Sequence, residues 1–271
     1  MSTFQTKVGP IAFLDILGYK SFIVRNSPES SAEIIKSILD GLDEKTKSRI
    51  AEAVGTNDPT QNGFLHFKAN FQTLLISDSI IGHMPIDSSL DTDTKIYAWA
   101  YFFCAIMIIQ EMMFTSGLPV RGAVAYGNYV SEKSLIVGRP LIEAYEKSLE
   151  IDAAIVTLAK SVEDNLRNSI DGNSTFLEML NTIVITEYLT PLKGESEERC
   201  YTLSWIEHLT PAAKNLDDIR QIVYRAFWGH SKEISREVDQ KVFNTEKYFA
   251  KHFIDQQIKA NKTSKEKSKQ L

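Results

Sequence analysis

Two aspartates stand where a carboxylate is costly. Asp15 ends the apolar run Ile11-Ala12-Phe13-Leu14, and Asp78 interrupts Leu74-Leu75-Ile76-Ser77-Asp78-Ser79-Ile80-Ile81. An ionised carboxylate at the edge of a buried strand is expensive to desolvate unless a cation meets it. A pair delivered by two apolar strands suggests a divalent-metal site, and sites of two carboxylates commonly hold Mg²⁺ against a nucleotide's phosphates. Just after Asp15, Gly18 permits a close turn. The backbone N–H groups of Ile16, Leu17, Gly18 and Tyr19 are expected to point outward there, a geometry that favours phosphate.

The elements that must position these groups follow from periodicity. Val8 to Asp15 reads as a buried strand. A helix is predicted from about Pro28, capped by Ser27, to Ala53, on the spacing of Ile34, Ile35, Ile38 and Leu42. Gly55 to Gly63 is a turn-rich loop holding Asn57-Asp58-Pro59. Asn70 to His83 reads as a hairpin with its tip near Ser77-Asp78. The apolar run Ile96 to Ile109 falls short of the roughly 20 residues a membrane span needs, which predicts a core helix packed on a sheet. Val120 to Gly127 is a strand with small residues on alternate positions, where a helix or a partner chain can approach closely. Gly138-Arg139-Pro140 opens a helix to about Ile151, and Ile155 to Ala159 is a short strand. A late hairpin, Ile183 to Tyr188 with Arg199 to Trp205, surrounds Pro191-Leu192-Lys193-Gly194. From Ala212 the pattern is helical, and the lysine- and serine-rich stretch Asn261 to Leu271 predicts disorder. Strands interleaved with helices and hairpins give a mixed α/β or α+β domain with a partly antiparallel sheet, and the α+β class is the one expected.

Composition narrows the function classes. With 271 residues and 43% hydrophobic content, the chain can bury one large core or one core with an appendage. A net charge of -5 argues against a general nucleic-acid or anionic-membrane binder. Cys104 and Cys200 have no metal-ligand spacing and read as reduced thiols. No apolar leader follows Met1, so a cytoplasmic location is expected. Neither a Walker loop, nor a dinucleotide glycine fingerprint, nor a Gly-x-Ser-x-Gly elbow is present.

Taken in order, the motifs resemble the catalytic domain of class III nucleotidyl cyclases. A strand of roughly F-x-D-I-x-G-F supplies that family's first metal aspartate; it matches Phe13, Asp15, Ile16, Gly18 and Tyr19 here. A hairpin with G-D at its tip supplies the second, and Ser77-Asp78 stands in its place. The later R-I-G-I-H-x-G strand is similar to Arg121 through Gly127, and the V-K-G hairpin to Leu192-Lys193-Gly194. The resemblance implies a ferredoxin-like βαββαβ core with an extra C-terminal hairpin and helices. It divides the chain into a catalytic domain (1–210), a C-terminal helical extension (211–260) and a disordered tail (261–271).

The resemblance also implies a chemistry. Asp15 and Asp78, with the Ile16 carbonyl, would hold two Mg²⁺ or Mn²⁺ ions. The ribose 3′-oxygen attacks the α-phosphorus and pyrophosphate departs. Phe13, Ile16, Leu17, Gly18 and Tyr19 would meet the substrate, and Lys193 the triphosphate. The active site would be shared in a homodimer, with Lys193 and the helix after Gly138 coming from the partner.

Departures from the family pattern concern the base. A lysine or glutamate four residues before the second metal aspartate is replaced by Leu74. An aspartate, threonine or cysteine three residues before the late glycine is replaced by Leu135. Neither leucine can hydrogen-bond a purine edge. The family's Asn and Arg, four apart on the late helix, correspond in strict register to Ile142 and Glu146. A one-residue shift gives Glu143 and Lys147, of which Lys147 could neutralise developing phosphate charge; Arg139 is the competing candidate. These features resemble the bacterial pyrimidine cyclases of the Pycsar anti-phage system. That likeness implies UTP turned into cyclic UMP that a separate effector protein reads, with CTP and cyclic CMP second. A purine cyclase with unusual base contacts, and a dead nucleotide-binding module, are the alternatives.

Overall fold

The computed structural model describes residues 4–40, 42–54, 61–86, 88–133, 135–168, 185–208, 213–233 and 235–267. The Asn57-Asp58-Pro59 turn, Ile183, Ala212 and residues 268–271 of the tail lie outside them. β1 (Thr6–Ile16) leads into four helices, α1 (Tyr19–Arg25), α2 (Pro28–Leu39), α3 (Leu42–Val54) and α4 (Gln61–Asn70). The hairpin β2 (Gln72–Ile76) and β3 (Ser79–His83) follows, then α5 (Thr92–Thr115) and β4 (Val120–Glu132). Next come β5 (Leu135–Gly138), α6 (Arg139–Glu150), β6 (Val156–Leu158), α7 (Lys160–Asn168), and the hairpin β7 (Ile185–Leu192) and β8 (Ser196–Leu203). Helices α8 (Leu216–Trp228) and α9 (Arg236–Lys267) close the described chain.

The sheet order is β2-β3-β1-β4-β6-β8-β7, with β5 paired to β4. All pairings are antiparallel except β4 with β6. The fold is therefore α+β with a mixed sheet, and β1 to β4 with their helices form the expected βαββαβ core.

Alternation along β1 divides the sheet's two faces. Ala12, Leu14 and Ile16 join the main core with α5, whereas Ile11 and Phe13 join a smaller cluster with Ile81, Ile136 and Ala144 of α6. By the same alternation Asp15 belongs to the α6 face. α5 is long and apolar enough to cross a membrane by length and composition, but 61% of its most apolar window is buried inside the fold. Gly122 lets β4 lie against β1, since a Cβ there would stand 2.2 Å from the Phe13 carbonyl oxygen. The small residues of that strand thus serve a neighbouring strand.

Three expectations need correction. The helix expected from Pro28 to Ala53 is two helices, because Asp40 leaves helical geometry at φ -62°, ψ 115°. α4 begins at Gln61, inside the expected loop. β5 and α7 are not expected from the sequence: β5 has only four residues, whereas Val162 and Leu166 of α7, both buried, do carry the helical i, i+4 spacing. α9 continues to Lys267, past the start of the predicted disordered tail; Lys and Glu are good helix formers and extend a helix already anchored upstream. Ile219, Val223 and Phe227 of α8 and Tyr248 and Phe249 of α9 lie in the main core.

Candidate active site

The register of the central strands creates the site. Asp15 pairs with Ser79 on β3 and with Arg121 on β4, so the carboxylate faces a guanidinium directly across the ladder. Arg121 Nε and Nη2 both lie 2.9 Å from Asp15 Oδ2, while Arg121 Nη1 donates to the Ile151 carbonyl at 2.9 Å. Arg121 is only 7% exposed.

Asp78 sits beside this pair on the two-residue connection between β2 and β3. Its main-chain carbonyl accepts the Ile16 N–H at 2.9 Å, which pins the hairpin tip to the end of β1. Ser77 takes φ 58° there, where the family motif has glycine. Burial pushes the Asp15 pKa up, the Arg121 charge and hydrogen bond oppose that, and the Asp78 charge adds to the rise. Two carboxylates that repel in a half-buried place suit a hard divalent cation. Among the described residues, no group of three or more His, Cys, Asp or Glu forms a denser metal cage.

The turn after β1 differs from the expectation. The N–H of Ile16 is taken by Asp78 and that of Leu17 by the Pro119 carbonyl at 2.8 Å. Neither is left for phosphate, because the chain end of a central strand satisfies its own donors first. The Ile16 and Leu17 side chains are core residues, 3% and 4% exposed. Gly18 N-caps α1 at φ 75°, and Tyr19 packs partly against the core.

Lys193 starts the β7–β8 turn, where its N–H donates to the Glu150 carbonyl at 2.8 Å. Its side chain is exposed. Lys193 and Asp15 of one chain lie within each other's electrostatic reach. The Glu150 pairing places the turn that carries Lys193 beside Ile151, whose carbonyl Arg121 meets. Lys147 differs. It is held by Glu198 and, at 3.2 Å, by Glu150, and Cys200 and Glu163 are also among its electrostatic neighbours. The carboxylates it bonds in its own chain are these two glutamates. Glu143 accepts the Ser161 N–H at 3.3 Å, and Arg139 is exposed at the start of α6.

Leu74 packs partly buried against the cluster that holds Phe13 and Ile81, while Leu135 is 43% exposed on β5. Phe13 meets Tyr145 of α6 edge-on at 5.3 Å. The position four residues before Asp78 therefore presents hydrocarbon.

Sequence reasoning expects Arg121 to pair with a carboxylate or a backbone group, and it does both; only the β1–β4 register makes Asp15 and Ile151 those partners. The other supporting residues carry no such expectation. Lys232 follows α8 and donates Nζ to the carbonyls of Gly117 at 2.7 Å and Ala226 at 3.2 Å. Its Cδ lies 3.4 Å from where a Cβ of Gly18 would be, directly behind the turn. Asn26 Nδ2 donates to His230 O at 2.9 Å and Glu233 N–H to Ser21 Oγ at 2.7 Å, tying α1 to the same segment. No local signal marks the ties of α1 to this segment, whose partners stand 204 and 212 positions apart.

Among solved structures the chain is similar to the adenylyl cyclase CyaB from P. aeruginosa, at 11% identity and a TM-score of 0.43, over 74% of this chain and 95% of that one. It is similar to the catalytic core of a rhodopsin-guanylyl cyclase with converted specificity, at 14% identity and a TM-score of 0.43, over 74% and 98%. The guanylyl cyclase Cya2 shows 16% identity and a TM-score of 0.39, over 74% and 92%. No protein-family model and no curated protein matches the chain.

Proposed function

We propose that this protein is a nucleotidyl cyclase that converts UTP to 3′,5′-cyclic UMP and pyrophosphate, as a second-messenger generator in bacterial anti-phage defence. The observation that carries the reading is the convergence of Asp15, Asp78 and Arg121 at three strand ends, in the motif order of class III cyclases. Asp15 and Asp78, with the Ile16 carbonyl, would hold Mg²⁺ or Mn²⁺. When bound, such ions supply Lewis-acid stabilisation of phosphate charge and a more acidic 3′-hydroxyl.

The chain's own residues do the rest. Arg121 occupies Asp15 Oδ2 and holds that carboxylate in place, so Oδ1 is the oxygen that would be left to hold a cation. Lys193 and Arg121 attract the β- and γ-phosphates, and the Gly18 and Tyr19 N–H groups remain of the expected four. The 3′-oxygen bonds to the α-phosphorus as the bond to pyrophosphate breaks, so positioning and charge stabilisation dominate.

A homodimer would add α6 of the partner. Ile142, Tyr145 and Leu149, at i, i+3 and i+7, share one helix face and are 58%, 45% and 36% exposed. An exposed apolar stripe next to the site favours a second copy that delivers Lys147 or Arg139 to the aspartates. Leu74 and Leu135 favour a pyrimidine, since neither offers a purine edge a hydrogen bond.

The test is incubation of purified protein with Mn²⁺ and each of the four NTPs, followed by chromatographic separation of products. Cyclic UMP is expected, and cyclic CMP is the second reading. Cyclic AMP or GMP alone would overturn the pyrimidine assignment, and no cyclic product from any nucleotide would leave a binding module.

A further inference from the structure

Three consecutive residues, the last of α6 and the two after it, meet the segments that carry three cations: two of the contacts are to the charged groups themselves and one is to the Lys193 main chain. The Glu150 carbonyl accepts the Lys193 N–H at 2.8 Å, the Ile151 carbonyl accepts Arg121 Nη1 at 2.9 Å, and Asp152 Oδ1 lies 3.2 Å from Lys241 Nζ. The three cations come from β7–β8, β4 and α9. Asp152 N–H also donates to the Pro191 carbonyl at 2.9 Å, and Ile151 bridges Leu192, so the end of the hairpin is laced to this segment.

α9 grips the segment from the other side. Asn244 Nδ2 donates to Asp152 O at 2.9 Å and lies 3.2 Å from Asp152 Oδ2. Thr245 Oγ1 accepts the Ala154 N–H at 2.8 Å. Arg121, Lys193 and Lys241 thus gather against two carboxylates, Asp15 and Asp152. Burial, then the charges of Arg121 and Lys241, push the Lys193 pKa down, as expected of cations crowded together.

We propose that α9 completes the polyphosphate end of the site, with Lys241 as a third phosphate-binding cation beside Arg121 and Lys193. The ligand class rests on the cyclase reading: the β- and γ-phosphates that leave as pyrophosphate. The geometry gives the C-terminal helix a direct part in substrate binding in addition to its place in the core. Lys193 is exposed and reaches outward, whereas Lys241 is 13% exposed and is held in place by Asp152 and by the Glu237 carbonyl at 3.1 Å. A pre-positioned ammonium loses little freedom when an anion arrives.

The competing role for Lys241 is simply to neutralise buried Asp152, and the two roles predict opposite signs for one variant. Binding of inorganic tripolyphosphate to the full chain, without metal, is measured by isothermal titration at low salt. Lys241→Met is expected to weaken it about tenfold, the scale of one charge-assisted contact. Asp152→Asn removes a competing carboxylate and frees Lys241, so it is expected to tighten binding several-fold. Lys251→Met, which breaks an exposed pair with Asp255, is expected to change nothing. Unchanged affinity in Lys241→Met, or weaker binding in Asp152→Asn, overturns the proposal. If Lys241→Met does not fold, the sign of the Asp152→Asn effect decides alone. If this pattern holds while no nucleotide is cyclised, the polyphosphate site stands and the cyclase reading falls.

Discussion

Arg121 and Asp15 face each other across the β1–β4 ladder, with Nε and Nη2 of the arginine both 2.9 Å from the single oxygen Oδ2. The guanidinium also caps the Ile151 carbonyl, so one buried side chain neutralises a carboxylate and satisfies a backbone acceptor. Arg121→Met is expected to lower stability by about 3 kcal/mol, because it leaves a half-buried charge and a carbonyl without partners. Divalent metal should replace part of the lost charge. The rise in Tm on adding Mn²⁺ is therefore expected to be larger for Arg121→Met than for the unmodified protein, and an equal rise would contradict a shared carboxylate.

Asp78→Asn keeps the main-chain carbonyl that accepts the Ile16 N–H, so the hairpin tip stays anchored. Mn²⁺-dependent product formation is expected to fall by at least about a hundredfold, beyond the loss typical of an outer-shell residue. Tm without metal should hardly move. A large fall in Tm would make Asp78 a structural residue.

Subunit mixing separates the two lysines. Lys193 lies in electrostatic reach of Asp15 in its own chain, whereas Lys147 is paired there with Glu198 and Glu150. Mixing Asp15→Ala with Lys147→Ala protein is expected to restore part of the activity through hybrid dimers. Mixing Asp15→Ala with Lys193→Ala should restore none. Recovery in the second mixture, with subunit exchange shown, would return Lys193 to the partner's site.

Lys232 braces the turn after β1 from behind, and burial pushes its pKa down to about 8 from 10.5. Between those values the unfolded chain holds a proton that the folded chain has released. Stability therefore rises with pH through that window, and the penalty is fully present below it. Over the full window this amounts to about 3 kcal/mol. Denaturation of the unmodified protein and of Lys232→Met, compared at pH 8 and pH 10, should show a rise that only the unmodified protein has. Parallel curves would assign the titration elsewhere.

Ser77 pays a steric cost for its φ of 58°, which glycine would not. Ser77→Gly is expected to raise stability by about 0.5–1 kcal/mol in chemical denaturation, with catalysis retained. A loss of stability would show that the serine side chain contributes more than its strain.

The amino-acid order by itself determined the two strand-edge aspartates, the hairpin tip, the long core helix and the glycine-lysine turn, because each is a local pattern of polarity or breakers. It also supplied the leucines at the positions where a base is expected. Only the tertiary structure decided that Asp15 meets Arg121, that the Ile16 and Leu17 donors are already spent, and that Lys193 stands near its own Asp15. The division of Pro28 to Val54 into two helices and the joining of α8 and α9 to the main core were likewise illegible. Strand register, and contacts between residues more than a hundred positions apart, depend on how whole faces pack. Local periodicity carries no record of which distant charge will sit across the ladder.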